Sequence, residues 1–310
     1  MTFEPNPALQ QAQYHEDFSS LRKTMRALLL AVLLSAAAPA WSGVLAYAAG
    51  DIGECDGKPA AESDAARTAK LIPPNAVVFV VGDTAYPHAD TATLQACYTP
   101  TWGPFLARTY AVPGNHDYVD GSPQDFLKYF GERTAHRTWY RVQVGDWWLI
   151  GLDSNLSGPL LEEQQAWLEQ QLKEMEGDGR CIVSMWHHPV FSTGLHRKDG
   201  QKMLPAWAAL ERAGADLVLN GHEHFYESFE RKDATGQNDP QGLREIVAGT
   251  GGAGLYDLSV VRGAKTYARK HGLLELHLEK DHYEFAFRTL DGRTRDSGSA
   301  QCRRSRIPLG

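Results

Sequence analysis

Asp51 follows the apolar run Val44–Ala49, and Asp83 and Tyr86 follow the run Val77–Val81. Asn115, His116 and Asp117 come after Thr109–Val112 and a Pro-Gly pair. His187 closes Cys181–Trp186, and His222 and His224 flank Glu223 after Ala215–Asn220. Carboxylate, amide, phenol and imidazole donors of this kind suit hard or borderline cations, not soft thiolate-bound ones. Any one such turn is commonly only a turn or a helix cap. Five in ordered succession are not explained by turn chemistry alone.

Something must bring those turns together. Short continuous runs rich in Val, Leu and Ile suit strands buried on both faces. Leu160–Met175 carries Leu161, Trp167, Leu168 and Leu172 among polar residues, the pattern of an amphipathic helix ending near Gly177. Leu204–Arg212 reads as a shorter helix stopped at Gly214. Strands alternating with helices predict an α/β domain with parallel pairing, and ligands then gather at the carboxyl edge of the sheet. In the tail, Leu274, Leu276 and Leu278 alternate with polar residues. After Lys280-Asp281, Tyr283, Phe285 and Phe287 do the same. That is a β-hairpin with one buried face, so two sheets are expected.

Composition limits the partners. Of 310 residues, 43% are hydrophobic and 22% charged, which are ordinary globular values, and the net charge is −7. No basic surplus exists to neutralise a nucleic-acid backbone, so no nucleic-acid partner is expected. Arg22, Lys23 and Arg26 precede the apolar run 27–38, and Ala38-Pro39-Ala40 follows it. A run that short does not span a bilayer core of about 30 Å. We read residues 1–42 as an N-terminal extension and signal peptide, with Met25 an alternative start and cleavage near Ala40 or Ser42. Residues 43–305 are then one domain and 306–310 a tail, in a protein exported to the periplasm or secreted, with no membrane partner. In an oxidising compartment Cys55, Cys97, Cys181 and Cys302 are expected to pair, rather than to stay as buried thiols. Three connectivities are open to them, and Cys55–Cys97 with Cys181–Cys302 is preferred.

Read together, Asp51-Ile52-Gly53, Gly82–Tyr86, Gly114–Asp117, Ser184–His187 and Gly221–His224 resemble the motifs of the calcineurin-like metallophosphoesterases. The likeness covers about residues 44–255 and is strongest to the purple acid phosphatases, whose pattern is D-x-G, G-D-x-x-Y, G-N-H-[DE], V-x-x-H and G-H-x-H. Ser184 departs from that pattern, but the histidine after it is kept. Gly53 stands where other branches carry a ligand histidine, and Tyr86 is available to replace it.

The resemblance implies a four-layer α/β/β/α sandwich of two mixed sheets and two metal ions. Carried over residue by residue, the first ion takes Asp51, Asp83, Tyr86 and His224. The second takes Asp83, Asn115, His187 and His222, with Asp83 bridging. A tyrosinate is a hard, strongly donating oxygen, so the first site suits Fe3+, while the second could take Fe2+, Zn2+ or Mn2+. Two such cations lower the pKa of a bridging water, and the hydroxide attacks phosphorus in line with the leaving group without a protein nucleophile. The expected substrate is a small phosphomonoester. His116 would stabilise charge or protonate the leaving oxygen, with Asp117 orienting its ring. His196, which ends the segment His187–His196, is a second proton donor.

The ligands alone leave a phosphodiesterase, a non-catalytic metal-binding protein and a tyrosinate–iron redox protein as alternatives. Among the neighbours, His188 is read as supporting a ligand or lying at the surface, Glu223 as pointing away from the metals, and Asp153-Ser154-Asn155 as a turn. Gly249–Gly254 lacks a following Lys-Ser/Thr, so it is a glycine-rich turn near the site and not a nucleotide loop.

Overall fold

The computed structural model describes residues 43–258 and 263–303; the expected signal peptide and tail lie outside them. Strands β1 (Val44–Ala49), β2 (Val77–Val81) and β3 (Thr109–Val112) pair in parallel and occupy the predicted runs. Antiparallel to β1 runs β11 (Gly272–Leu278), then β12 (His282–Thr289) and β13 (Thr294–Gln301). The predicted hairpin is β11–β12, and it extends this first sheet.

The second sheet has the order β10-β8-β9-β7-β6-β5-β4. Its parallel centre is β5 (Trp147–Gly151), β6 (Cys181–Met185), β7 (Leu217–Asn220) and β9 (Arg244–Ala248). The antiparallel strands β4 (Tyr140–Val144), β8 (Tyr226–Ser228) and β10 (Thr266–Ala268) finish it.

Because successive strand residues face opposite ways, each sheet carries two apolar faces. In β2, Phe79 and Val81 meet Trp147, Tyr226 and Phe287 between the sheets, where the Tyr226 and Phe287 rings stack at 4.0 Å. Val78 and Val80 face outward, onto α1 (Asp64–Ala69), the helical stretch α2 (91–101) and α3 (Gln124–Phe130), through Ala65, Leu94 and Phe126. On the far side, Ile150, Ile182 and Val218 are covered by Leu168 and Leu172 of α4 (Gly158–Glu174) and by Trp207 and Leu210 of α5 (Leu204–Arg212). Fully burying one such large apolar side chain contributes about 1.5–3 kcal/mol. The result is the expected α/β/β/α sandwich of two mixed sheets.

Helix α4 begins two residues before its predicted start, since Pro159 is accommodated in a first turn whose N–H groups lack partners anyway. The preferred cysteine pairing is present. Cys55–Cys97 ties the loop after β1 to α2, and Cys181–Cys302 joins β6 of one sheet to the residue after β13 of the other. Among the described residues no helix is long and apolar enough to cross a membrane.

Candidate metal centre

The loops after β1, β2, β3, β6 and β7 meet at the carboxyl ends of the parallel strands. Asp51, Asp83 and His222 hold left-handed backbone, with φ of 58°, 52° and 72°. Such a conformation costs a non-glycine residue on the order of 1 kcal/mol, and here it turns each side chain inward as its strand ends. Gly114 fits the same design: a Cβ there would fall 2.1 Å from Asp83 Oδ1, so only glycine lets the third loop close on that carboxylate.

Four predicted donors converge on one point. The Tyr86 hydroxyl lies 2.9 Å from Asp51 Oδ1, 2.9 Å from Asp83 Oδ2 and 3.0 Å from His224 Nε2. His224 Nε2 is also 3.2 Å from Asp51 Oδ1. The His224 Nδ1–H donates to the Gly254 carbonyl at 2.8 Å, which leaves Nε2 to face the cluster. Burial, followed by the Asp51 and Asp83 charges, raises the Tyr86 phenol well above its ordinary pKa.

A second group lies on the other side of Asp83. Asp83 Oδ2 is 3.3 Å from His187 Nε2, and His187 Nδ1–H donates to the Val81 carbonyl at 2.8 Å. His187 Nε2 is therefore the nitrogen open to a cation, and it is buried with no well-formed hydrogen bond. Burial pulls this imidazole down, but the Asp83 carboxylate outweighs it and pushes it up to about 9. Burial likewise raises the Asp83 carboxyl, and the facing His187 and His116 hold it well below the usual carboxylate range. The field between these groups favours positive charge.

The His222 ring packs 5.0 Å from that of His187, its backbone N–H donates to Asp51 Oδ2, and its Nε2 lies 3.1 Å from Asp199 Oδ2. Burial and the neighbouring His187 hold His222 down, to about 4. Asn115 opens the turn after β3 and is exposed. Ligand atoms of Asp51, Asp83 and His187 lie within 4.8 Å of one another, as do those of His187, His188 and His222. Hard oxygen donors on one side and imidazoles on the other fit a pair of hard and borderline cations.

His116 stands beside the cluster, with its ring 4.5 Å from that of Tyr86 and its Nε2 3.9 Å from Asp83 Oδ2. The expected Asp117–His116 contact is not formed. His116 Nδ1 is held 2.6 Å from the Pro87 carbonyl instead. Asp117 is buried and accepts from the backbone N–H groups of Asp83, Thr84 and Gly114, as well as from the Thr84 hydroxyl. Burial and the nearby Asp83 charge raise Asp117 to about 6. Adjacency in sequence misled here, because the turn sends consecutive side chains in opposite directions. His196 is less enclosed, with its ring 5.1 Å from His222.

The neighbouring residues resolve as follows. His188 is buried, bonded to the Ser154 hydroxyl at 2.7 Å, and walls His222 at 4.2 Å between rings. Glu223 turns toward the His196 backbone and not toward Tyr86. Asp153 accepts from the backbone N–H of Asn155, which makes the predicted turn. The glycine-rich turn does reach the site, through Gly254. Sequence reasoning missed Asp199 and Tyr256, whose ring stacks on His224 at 4.1 Å; the only signal for Tyr256 was its place just after that turn.

Residues 46–226 match the calcineurin-like phosphoesterase family. The chain belongs to this family. Among its relatives, the Fe(3+)-Zn(2+) purple acid phosphatase 12 of Arabidopsis thaliana is 28% identical over 201 residues, covering 55% of this chain and 41% of the plant protein. The chain thus spans about two fifths of the length of the curated relatives it matches. In fold it is similar to purple acid phosphatase PPD1 from yellow lupin (Lupinus luteus), with a TM-score of 0.63, 16% identity, and coverage of 84% of this chain and 54% of that one. It is equally similar to GAP50, the anchor in the inner membrane complex of Plasmodium, with a TM-score of 0.63, 15% identity, and coverage of 84% and 89%. One fold therefore accompanies very different descriptions, and any activity must be argued from the side chains.

Proposed function

We propose that this chain is an exported dinuclear-metal hydrolase of small phosphomonoesters. The observation that carries the reading is the convergence of Asp51, Asp83 and His224 on the Tyr86 hydroxyl, with His187 across the same Asp83 carboxylate. Asp51, Asp83, Tyr86 and His224 would hold one ion, and Asp83, Asn115, His187 and His222 the other. The phenol oxygen favours Fe3+ in the first site; Fe2+, Zn2+ or Mn2+ suits the second, and the Arabidopsis relative is named as an Fe(3+)-Zn(2+) enzyme. Bound there, two cations supply Lewis acidity toward a phosphate oxygen and lower the pKa of water.

The protein's own groups account for the rest. Asp117 fixes the turn that aims Asp83. Val81 and Gly254 orient His187 and His224 through their Nδ1 atoms. Pro87 engages Nδ1 of His116, so Nε2 is the atom turned toward the cluster, where it can bind a phosphoryl oxygen or pass a proton to the leaving oxygen. His196 would be the second proton donor. Both disulfides support an oxidising compartment and hence export.

The test is turnover of p-nitrophenyl phosphate and its bis-ester by residues 43–310, beside Asp83→Asn. Fast monoester hydrolysis that is lost in the variant supports the proposal. Preference for the bis-ester moves the reading to a phosphodiesterase. Inactivity toward both esters in protein carrying two metal equivalents defeats it.

A further inference from the structure

The segment 190–196 carries His196 past the site, yet it belongs to no strand or helix. Four of its backbone N–H groups, those of Val190, Phe191, Thr193 and His196, go instead to three glutamates. Glu245 on β9 accepts from Val190 and Phe191, both at 2.9 Å, one through each carboxylate oxygen. Glu227 on β8 accepts from the Thr193 N–H at 3.2 Å, from the Thr193 hydroxyl at 2.7 Å and from the Ser192 hydroxyl, whose oxygen takes the Gly194 N–H. Glu223, between the two site histidines, accepts from the His196 N–H at 2.7 Å, and its other oxygen lies 3.6 Å from His196 Nδ1. All three side chains are fully buried.

Register explains the arrangement. Glu245 pairs with Val218 across the sheet, and Glu227 sits diagonally from it on the same face, opposite Val247. Val218 belongs to the apolar layer beneath α4 and α5, so both glutamates point to the face that those helices cover over β5–β7. Over β8 and β9 the segment 190–196 provides the cover, with Phe191 edge-on to Trp207 at 5.0 Å. A buried carboxylate is expensive, and apolar residues would fill the same volume at lower cost. What carboxylates add is direction: charge-assisted bonds to successive N–H groups fix one backbone path. Gly194 shows how closely that path is followed, since a Cβ there would fall 2.0 Å from the Glu223 carboxyl carbon.

We propose that Glu245, Glu227 and Glu223 are positioning residues for His196, a carboxylate rail that presents its imidazole to the leaving-group side of the site. The inference rests on the hydrolase reading above. Proton donation matters for a poor leaving group and hardly at all for a good one, so leaving-group dependence separates positioning of the donor from general damage.

The experiment compares Glu245→Gln, Glu227→Gln and Gly194→Ala with the unaltered protein on an alkyl phosphate and on 2,4-dinitrophenyl phosphate, with metal content measured for each. We expect kcat on the alkyl ester to fall at least about tenfold, part of the roughly 10²–10⁴ that a proton donor supplies. Turnover of the dinitrophenyl ester should stay within about twofold, and the substitutions should add nothing further in a His196→Ala background. Hydrogen exchange across 190–196 should accelerate in the same variants. Equal losses on both esters at full metal content, or losses that add to those of His196→Ala, would overturn the proposal, as would unchanged exchange. If a variant does not fold, Gly194→Ala, which leaves all three carboxylates in place, still decides. Inactivity of the unaltered protein defeats the hydrolase reading instead, and exchange alone then decides whether the glutamates hold the segment.

Discussion

The Asp117 carboxylate accepts the backbone N–H of Asp83 at 2.8 Å, although the two residues stand 34 apart in sequence. Through its bonds to Thr84 and Gly114 the same carboxylate ties the turn that presents Asp83 to the loop after β3. Asp117→Asn keeps the shape but replaces an acceptor oxygen with an NH2 group that must face an N–H. Loss of a partner that supports a metal ligand typically lowers metal affinity or activity about 10–100-fold. Metal analysis after dialysis, read beside kcat, checks this; full metal content with unchanged turnover contradicts it.

Tyr86→Phe removes the oxygen around which Asp51, Asp83 and His224 gather. The ring stays, so its packing against His116 survives and the fold should too. We expect iron-loaded protein to show a visible absorption band from phenolate-to-iron charge transfer and the variant to lack it. The circular-dichroism spectrum should not change. A band that persists in Tyr86→Phe would remove Tyr86 from the first site.

Sequence and structure agree where burial acts on both faces of an element. The runs Val44–Ala49, Val77–Val81 and Thr109–Val112 are strands over those same residues, because uninterrupted apolar character has no other stable use at that length. The strand Thr294–Gln301 was invisible. It is a polar edge strand with Gly298 in its middle, and edges tolerate residues that a central strand does not. The stretch 91–101 was equally silent, since its threonines and Pro100 are poor helix signals and its π turn shifts the apolar spacing. In the site, donors that follow strand ends could be read directly. Groups that act through the fold could not: Glu227 and Glu245 look like solvated strand residues until the segment 190–196 is seen to cover them.

The two disulfides should differ in their effect on stability. Cys181–Cys302 closes a separation of 121 residues and links the sheets, whereas Cys55–Cys97 closes 42. Constraint of the unfolded chain grows with the logarithm of loop length, so removing the longer link should cost about 1 kcal/mol more, on losses of roughly 3–5 kcal/mol each. Urea midpoints of the paired Cys→Ala variants test this. A larger loss from the shorter link would show that native-state packing around α2 outweighs chain entropy.

Asp216, away from the donor cluster, makes stability depend on pH. It is fully buried, accepting the backbone N–H of Arg303 at 2.8 Å and that of Ile182 at 3.3 Å. Burial outweighs those bonds and raises it from 3.8 to about 6. Between these values the folded chain holds a proton that the unfolded chain has released, so stability must fall as pH rises. This contribution is fully present below pH ~4 and is lost as pH rises through about 6, a difference on the order of 3 kcal/mol. Asp216→Asn cannot titrate. The stability of the unaltered protein relative to this variant should therefore decline from pH 4 to pH 7 and level off above it, in urea melts at matched ionic strength. A difference that is flat, or that grows with pH, would mean Asp216 is ionised in the fold throughout, with its two backbone bonds outweighing desolvation.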